Sequence, residues 1–189
     1  PKPAGGILEE PTRTTTETAS SIVPDFGDDD EERKIAFVCS KGTLDMAYPA
    51  LIMASGALEQ GVETHIFFTF WGMDMINKGT WDDLQFSMLG NTAMHMPGST
   101  KHIPQGLGGL PGMTGYATKM LKKQIAEQEV PPVPEFMQML SDRGARFWAC
   151  KMSVDMMGLT KDDMFDDVED IINVNEFIEL SNGSQVIFV

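Results

Sequence analysis

The segment RFWACKMSVDMMGL, residues 146–159, decides the fold. Its apolar run FWA ends at Cys150, and a polar stretch that is compatible with a helix follows from Lys151. A short apolar run followed directly by a helix is typical of a parallel α/β domain, in which chemistry takes place where the strands end. We therefore predict a strand that places a thiol at the carboxyl end of a sheet, just ahead of a helix.

The rest of the chain repeats this alternation of strand and helix. Apolar runs predict strands at residues 34–39, 62–70, 146–150, 168–171 and 185–189, and helical spacing covers residues 116–129, 135–143 and 174–180. A further helix is expected after the first strand, with Pro49 near its first turn and Gly61 at its end. The alternation predicts a three-layer α/β/α domain around a parallel sheet.

Two segments fall outside this pattern. Residues 1–32 are rich in Pro, Thr, Ser and Gly and finish in an acidic run, so they contain too little apolar surface to offset the entropy of ordering. We expect a disordered acidic tail there and a single domain over residues 33–189. Within that domain, residues 79–115 are rich in Met, Gly and Pro and lack periodicity, which is typical of a functional insertion.

Composition excludes several classes of function. The formal net charge of −14 disfavours nucleic acid as a partner, because an acidic surface repels phosphate. No apolar run approaches the roughly 20 residues of a membrane-spanning helix. The chain has two cysteines, which are too few for a disulfide framework. A functional thiol stays reduced and available in a reducing compartment. We expect a cytoplasmic protein with no membrane partner.

Both cysteines close apolar runs, so both are candidates for chemistry. A thiol needs its anionic form to act as a nucleophile, and a helix N-terminus beside Lys151 would favour the anion at Cys150. Ser153 leads that helix and is a candidate for lining the site. Cys39 has two interpretations, a buried core residue or a second, resolving thiol.

The insertion adds a second kind of candidate. Its run Met94-His95-Met96, together with His102, offers thioether and imidazole groups that suit a soft metal such as Cu(I). Methionine is also an adaptable contact residue, so the same run is compatible with a lid or an oligomer interface. His95 or His102 would line the thiol site if the insertion folds over it. His65 lies inside a strand and is expected in the core.

The order of elements, the FFTFWG end of the second strand, the Met- and Gly-rich insertion and the single cysteine in ARFWACKMSVDMMGL resemble the DsrE-like sulfur-relay family, in its longer branch. The resemblance covers about residues 33–189. It implies a five-stranded, flavodoxin-like sheet of order 2-1-3-4-5, symmetric homo-oligomers and no organic cofactor. It also implies that Cys150 carries a persulfide. Members can have another cysteine in the insertion, but LPGMTGY (residues 110–116) has none.

Three hypotheses of function are compatible with these features. The first is a sulfurtransferase or sulfur carrier that passes sulfane sulfur from Cys150 between donor and acceptor proteins, with a TusA-type carrier as partner. The second is a soft-metal binding module built on the insertion. The third is a thiol redox switch that forms a disulfide between Cys39 and Cys150, because strands 1 and 3 are neighbours in the implied order.

Overall fold

The computed structural model describes residues 33–86, 101 and 104–189, except the side chain of residue 105. The first half contains β1 (Lys34–Cys39), α1 (Leu44–Glu59), β2 (Glu63–Phe68) and two 3₁₀ helices, η1 (Phe70–Met75) and η2 (Trp81–Asp83). The second half contains α2 (Gln105–Gly108), α3 (Met113–Glu127), α4 (Val133–Asp142), β3 (Arg146–Cys150), α5 (Lys151–Met157), η3 (Lys161–Asp163), β4 (Val168–Ile172), α6 (Val174–Leu180) and β5 (Ser184–Phe188). The described residues from 33 to 189 belong to one compact unit.

The predicted fold class is confirmed, because five parallel strands form one sheet and helices pack on both of its faces. Their order is β4-β3-β2-β1-β5. β2 therefore lies between β1 and β3, and the expectation from the order 2-1-3-4-5 that β1 and β3 are neighbours is not met. The alternation of strands and helices predicts parallel strands joined by crossovers. It does not specify which strands are neighbours, so the same sequence pattern is compatible with either order.

The sheet has a larger and a smaller core, one on each face. The larger one combines Phe37, Phe68 and Phe147 with apolar side chains of α1, α3 and α4. On the opposite face Trp148 and Cys150 pack with Ile172 and with the side chains that α6 supplies. Alternate residues of a strand point to opposite faces, so the side chain of Cys150 belongs to the smaller core.

The first helix begins earlier than predicted. α1 starts at Leu44, so Pro49 lies inside the helix rather than near its first turn. Pro49 removes one backbone hydrogen bond from the helix. Leu44 and Ala47 are buried, and their packing stabilises the helical turn that precedes Pro49. The left-handed Gly61 comes directly after the helix end, as predicted.

Several expectations concern residues outside the described part of the chain. These are the disordered tail at residues 1–32 and the placement of His95 and His102. No helix in the described part of the chain is both long and apolar enough to cross a membrane.

Candidate functional site

Cys150 is the last residue of β3 and the N-cap residue of α5. Its backbone is extended, with φ −75° and ψ 118°, so the chain turns directly from the strand into the helix at this residue. The residue has 8% of its surface exposed. Cys150 is therefore a buried residue at the carboxyl edge of the sheet, on the face that carries the smaller core.

Polar groups from two elements lower the pKa of the Cys150 thiol, although its side chain makes no capping hydrogen bond to α5. In the first turn of α5 these are the backbone N–H groups of Met152 and Ser153 and the hydroxyl of Ser153. A further hydroxyl comes from Thr69, the residue that follows β2. Donors of this kind stabilise a thiolate more than a thiol, since only the anion is a strong acceptor.

The Ser153 hydroxyl is held in a defined orientation. Its oxygen accepts the backbone N–H of Phe70 at 2.8 Å and lies 3.3 Å from the Thr69 hydroxyl oxygen. Ser153 is fully buried, so water does not compete for these contacts. Ser153 thus joins the first turn of α5 to the residues that follow β2.

Two opposing effects set the pKa of Cys150. Burial of the thiol disfavours the charged form and raises the pKa, and it is the largest single contribution. The hydrogen bonds from Ser153, Thr69 and Met152 together outweigh it, so the pKa of Cys150 lies below the ordinary value of a cysteine. The site therefore favours the thiolate, which is the nucleophilic form.

The backbone of Phe70 is unusual. Its φ is 46°, in the left-handed region that a bulky side chain rarely adopts. Phe70 comes immediately after Thr69, and its N–H donates to the hydroxyl oxygen of Ser153. Strained residues tend to cluster where a structure holds functional groups in place, so Phe70 marks this turn as part of the site.

A close backbone approach holds η1 at this edge of the sheet. The N–H of Thr69 donates to the carbonyl oxygen of Cys39 at 2.9 Å. A Cβ atom on Gly72 would lie 2.0 Å from that same oxygen, so only glycine fits there. The end of β1 thus supports the turn that carries Thr69 and Phe70 to Cys150.

The structure does not bring the two cysteines together. Cys39 pairs in register with Phe68, which pairs with Ala149, so a full strand separates Cys39 from β3. Two strand spacings amount to about 10 Å, beyond the roughly 7 Å between Cα atoms that a disulfide allows. The two side chains also belong to different cores on opposite faces of the sheet. The predicted proximity of Cys39 is therefore corrected, and with it the basis for a Cys39–Cys150 disulfide.

Cys39 has an environment unlike that of Cys150. It is 1% exposed, and burial raises its pKa to about 12. At neutral pH the thiol is therefore protonated and out of contact with solvent, as expected of a core cysteine.

The other predicted site residues have different positions. Ser153 lowers the pKa of Cys150, whereas Lys151 is exposed and its ammonium lies 3.2 Å from the carboxylate of Asp155, in an i,i+4 ion pair. His95 and His102 lie outside the described residues. The sequence interpretation did not find Thr69, Phe70 or the backbone of Met152. A polar residue after an apolar strand was the one available signal for Thr69.

His65 is a core residue with both ring nitrogens satisfied. Nε2 lies 2.9 Å from the carboxylate of Glu63, and Nδ1 accepts the indole N–H of Trp148 at 3.2 Å. Among residues 33–86, 101 and 104–189, no group of three or more His, Cys, Asp or Glu side chains could hold a metal ion. The soft-metal candidates Met94, His95 and Met96 are outside these ranges.

Comparisons with known proteins agree with this fold. The family model described as DsrE/DsrF/DrsH-like matches residues 31–188. The sulfur carrier protein DsrE2 of Allochromatium vinosum is 36% identical over 157 residues, which cover 82% of this chain and 97% of that protein. The uncharacterized protein YrkE of Bacillus subtilis is 28% identical over 144 residues, or 74% of this chain and 86% of that protein.

A solved structure shows the same fold at low sequence identity. It is MTH1491 from Methanobacterium thermoautotrophicum, a protein of unknown function, with a TM-score of 0.50 and 11% identity over 83% of this chain and 99% of that one. The family match spans the whole sheet from β1 to β5, including the strand that ends at Cys150. This chain therefore belongs to the DsrE/DsrF/DrsH-like family, whose curated member DsrE2 is a sulfur carrier.

Proposed function

We propose that this protein is a sulfur carrier that holds sulfane sulfur as a persulfide on Cys150 and passes it between proteins of a cytoplasmic sulfur relay. The observation that carries the proposal is the position of Cys150 at the end of β3 and the start of α5, where groups of Ser153, Thr69 and Met152 lower the pKa of its thiol. The 36% identity to a sulfur carrier supports the class of chemistry.

The chemistry needs no group other than the thiol. In loading, the Cys150 thiolate attacks the terminal sulfur of a donor persulfide, the donor S–S bond breaks, and its electron pair leaves on the donor thiolate. In unloading, an acceptor thiolate attacks the outer sulfur on Cys150, and the electron pair of the broken S–S bond returns to Sγ. The same hydrogen bonds stabilise Cys150 as the leaving thiolate, because a thiol of lower pKa leaves faster.

The proposal includes partners. Sulfur donor and acceptor proteins must reach Cys150 in turn, and a TusA-type carrier is the acceptor or donor we propose. Self-association into a homo-oligomer is also proposed. Turnover is then set by encounters between proteins, so the protein acts as a carrier more than as an enzyme with a bound substrate.

Mass spectrometry of the loaded protein tests the proposal. Incubation with sodium polysulfide should add about 32 Da per sulfur to the wild-type protein, and digestion should place the added mass on Cys150. The matched variant Cys39→Ala should load equally well, because the raised pKa of Cys39 keeps that thiol protonated. Equal loading of Cys150→Ser and wild type would refute a persulfide on Cys150.

A further inference from the structure

A cavity of about 320 Å³ lies between α1, η2, α3 and the start of α4. Its wall is mostly apolar and includes the ring of Trp81 and the side chains of Leu84, Ile125 and Val130. Volumes of about 300–1,000 Å³ and apolar walls with a few polar groups are typical of small-molecule sites. The wall belongs to the larger core, whereas Cys150 packs on the opposite face of the sheet, so the cavity is separate from the thiol site.

Two hydrogen bonds hold the walls of the cavity in place. The Tyr48 hydroxyl donates to the carbonyl oxygen of Pro131 at 3.1 Å and so ties α1 to the loop VPPVP, residues 130–134. The Lys122 ammonium donates to the backbone carbonyl oxygen of Asp82 at 3.0 Å and joins α3 to η2. The prolines of the loop further restrict its backbone. The cavity is therefore preformed, and a ligand would lose little affinity to the ordering of its walls.

Lys122 places a positive charge in this apolar wall. Its side chain is half-buried, and within the described part of the chain its ammonium bonds the Asp82 carbonyl oxygen and makes no ion pair. The first residues of two helices, Leu44 of α1 and Val133 of α4, also line the cavity, and the N-terminus of a helix has a partial positive charge. Among the described lining residues Asp82 has the only carboxylate, and this residue is exposed. The charges of the wall therefore favour an anionic group on a ligand.

We propose that this cavity binds a small apolar carboxylate. Its chain or ring packs on Trp81 and the aliphatic side chains, and its carboxylate accepts hydrogen bonds from Lys122. An ammonium has three donors, so Lys122 can bind the ligand and keep its bond to the Asp82 carbonyl oxygen. The proposal does not rest on sulfur transfer, because Cys150 and the groups that lower its pKa lie outside the cavity wall.

Calorimetric titration with three ligands of one chain length tests the proposal. Octanoate, octan-1-ol and octylamine have the same number of carbon atoms and differ in the charge of one end. Octanoate should bind at one molecule per chain and at least about tenfold more tightly than the other two, because charge-assisted hydrogen bonds are stronger than neutral ones. No binding of octanoate, or binding of octan-1-ol or octylamine as tight as that of octanoate, would overturn the proposal.

Replacement of Lys122 tests which residue selects the carboxylate. Lys122→Met removes the ammonium but keeps an apolar stem, so the affinity for octanoate should fall about tenfold and that for octan-1-ol should not change. Lys123→Met is the matched control, since Lys123 is the next residue of α3, lies outside the cavity wall and has 78% of its side chain exposed. It should bind octanoate as the wild type does. Equal losses in the two variants would show general attraction to positive charge and contradict a site at Lys122.

A variant that fills the cavity tests its location. Ala126 lines the cavity and is exposed, so the indole of Ala126→Trp can occupy the space without displacing core side chains. This variant should keep the Tm of the wild type and lose binding of octanoate. If the folded Ala126→Trp protein binds octanoate as tightly as the wild type, the ligand binds elsewhere and the proposal is wrong.

Discussion

The ends of β1 and β3 carry the same residue in the same position, yet they differ in chemistry. Cys39 and Cys150 each close an apolar parallel strand. Cys39 is sealed in the larger core, and its pKa rises to about 12, whereas hydrogen bonds lower the pKa of Cys150. A strand end alone therefore does not activate a thiol. The difference comes from the segment that each strand leads into.

That segment is a loop after β1 and a helix after β3. Cys39 precedes the loop from Ser40 to Thr43, and its carbonyl oxygen, not its sulfur, receives the N–H of Thr69. Cys150 precedes α5 directly, and backbone N–H groups of the first helical turn lower the pKa of its thiol. The first cysteine supports the site through its backbone, and the second supplies the reactive group.

Alkylation should show the largest difference between the two cysteines. At pH 7 a thiol with a pKa near 12 has on the order of 10⁻⁵ of its population as thiolate, and it is also out of contact with solvent. Iodoacetamide should therefore modify the Cys39→Ala protein at least about 100-fold faster than the Cys150→Ser protein, as followed by intact mass. Comparable alkylation rates of the two folded variants would contradict the difference in reactivity between Cys39 and Cys150.

The stability of the protein at alkaline pH should report Cys39. An unfolded cysteine loses its proton near pH 9, but folded Cys39 retains it until about pH 12, so between these values the unfolded state binds one proton fewer. The contribution of this thiol to the free energy of unfolding should fall by about 1.4 kcal/mol per pH unit above pH 9. Below pH 9 the contribution of the Cys39 thiol to the free energy of unfolding is fully present.

Urea unfolding between pH 8.5 and 10.5 measures this contribution by difference. The Cys39→Ala protein retains every other titrating group, so its stability should fall less steeply with pH than that of the wild type. Cys150 should behave in the opposite sense, since its lowered pKa makes its contribution grow with pH until the unfolded cysteine also ionises. Parallel curves for the wild type and Cys39→Ala would contradict the assignment of the raised pKa.

The sequence predicted the parts of the site that are local in the chain. The strand Arg146–Cys150 has the predicted bounds, and Ser153 lies within the helix that comes after it. Periodicity and element order are local signals, so the α/β class could be inferred from them. The resemblance added the family, which the comparisons confirm.

The missed parts depend on strand order. Thr69 and Phe70 bond Ser153 from the end of β2, more than 80 residues away in sequence, because β2 lies beside β3. The order implied by the resemblance placed β1 there instead and so drew Cys39 into the site. The left-handed backbone of Phe70 had no sequence signal, because this conformation favours glycine or asparagine rather than an aromatic residue.

Replacement of Ser153 should have the smallest of these effects and should sharpen the comparison most directly. Ser153→Ala removes a hydroxyl that lowers the pKa of Cys150, and a hydrogen bond to a charged group is worth about 1.5–3 kcal/mol, so this pKa should rise by about one to two pH units. The thiolate absorbance near 240 nm as a function of pH, measured in a Cys39→Ala background, reports Cys150 alone. Thr69→Val is the matched variant, since it removes the other hydroxyl but leaves the N–H of Phe70 bonded to Ser153. If neither variant moves the titration, the helix amides alone lower the pKa, and the contrast between the two cysteines then comes from α5 without any contribution from β2.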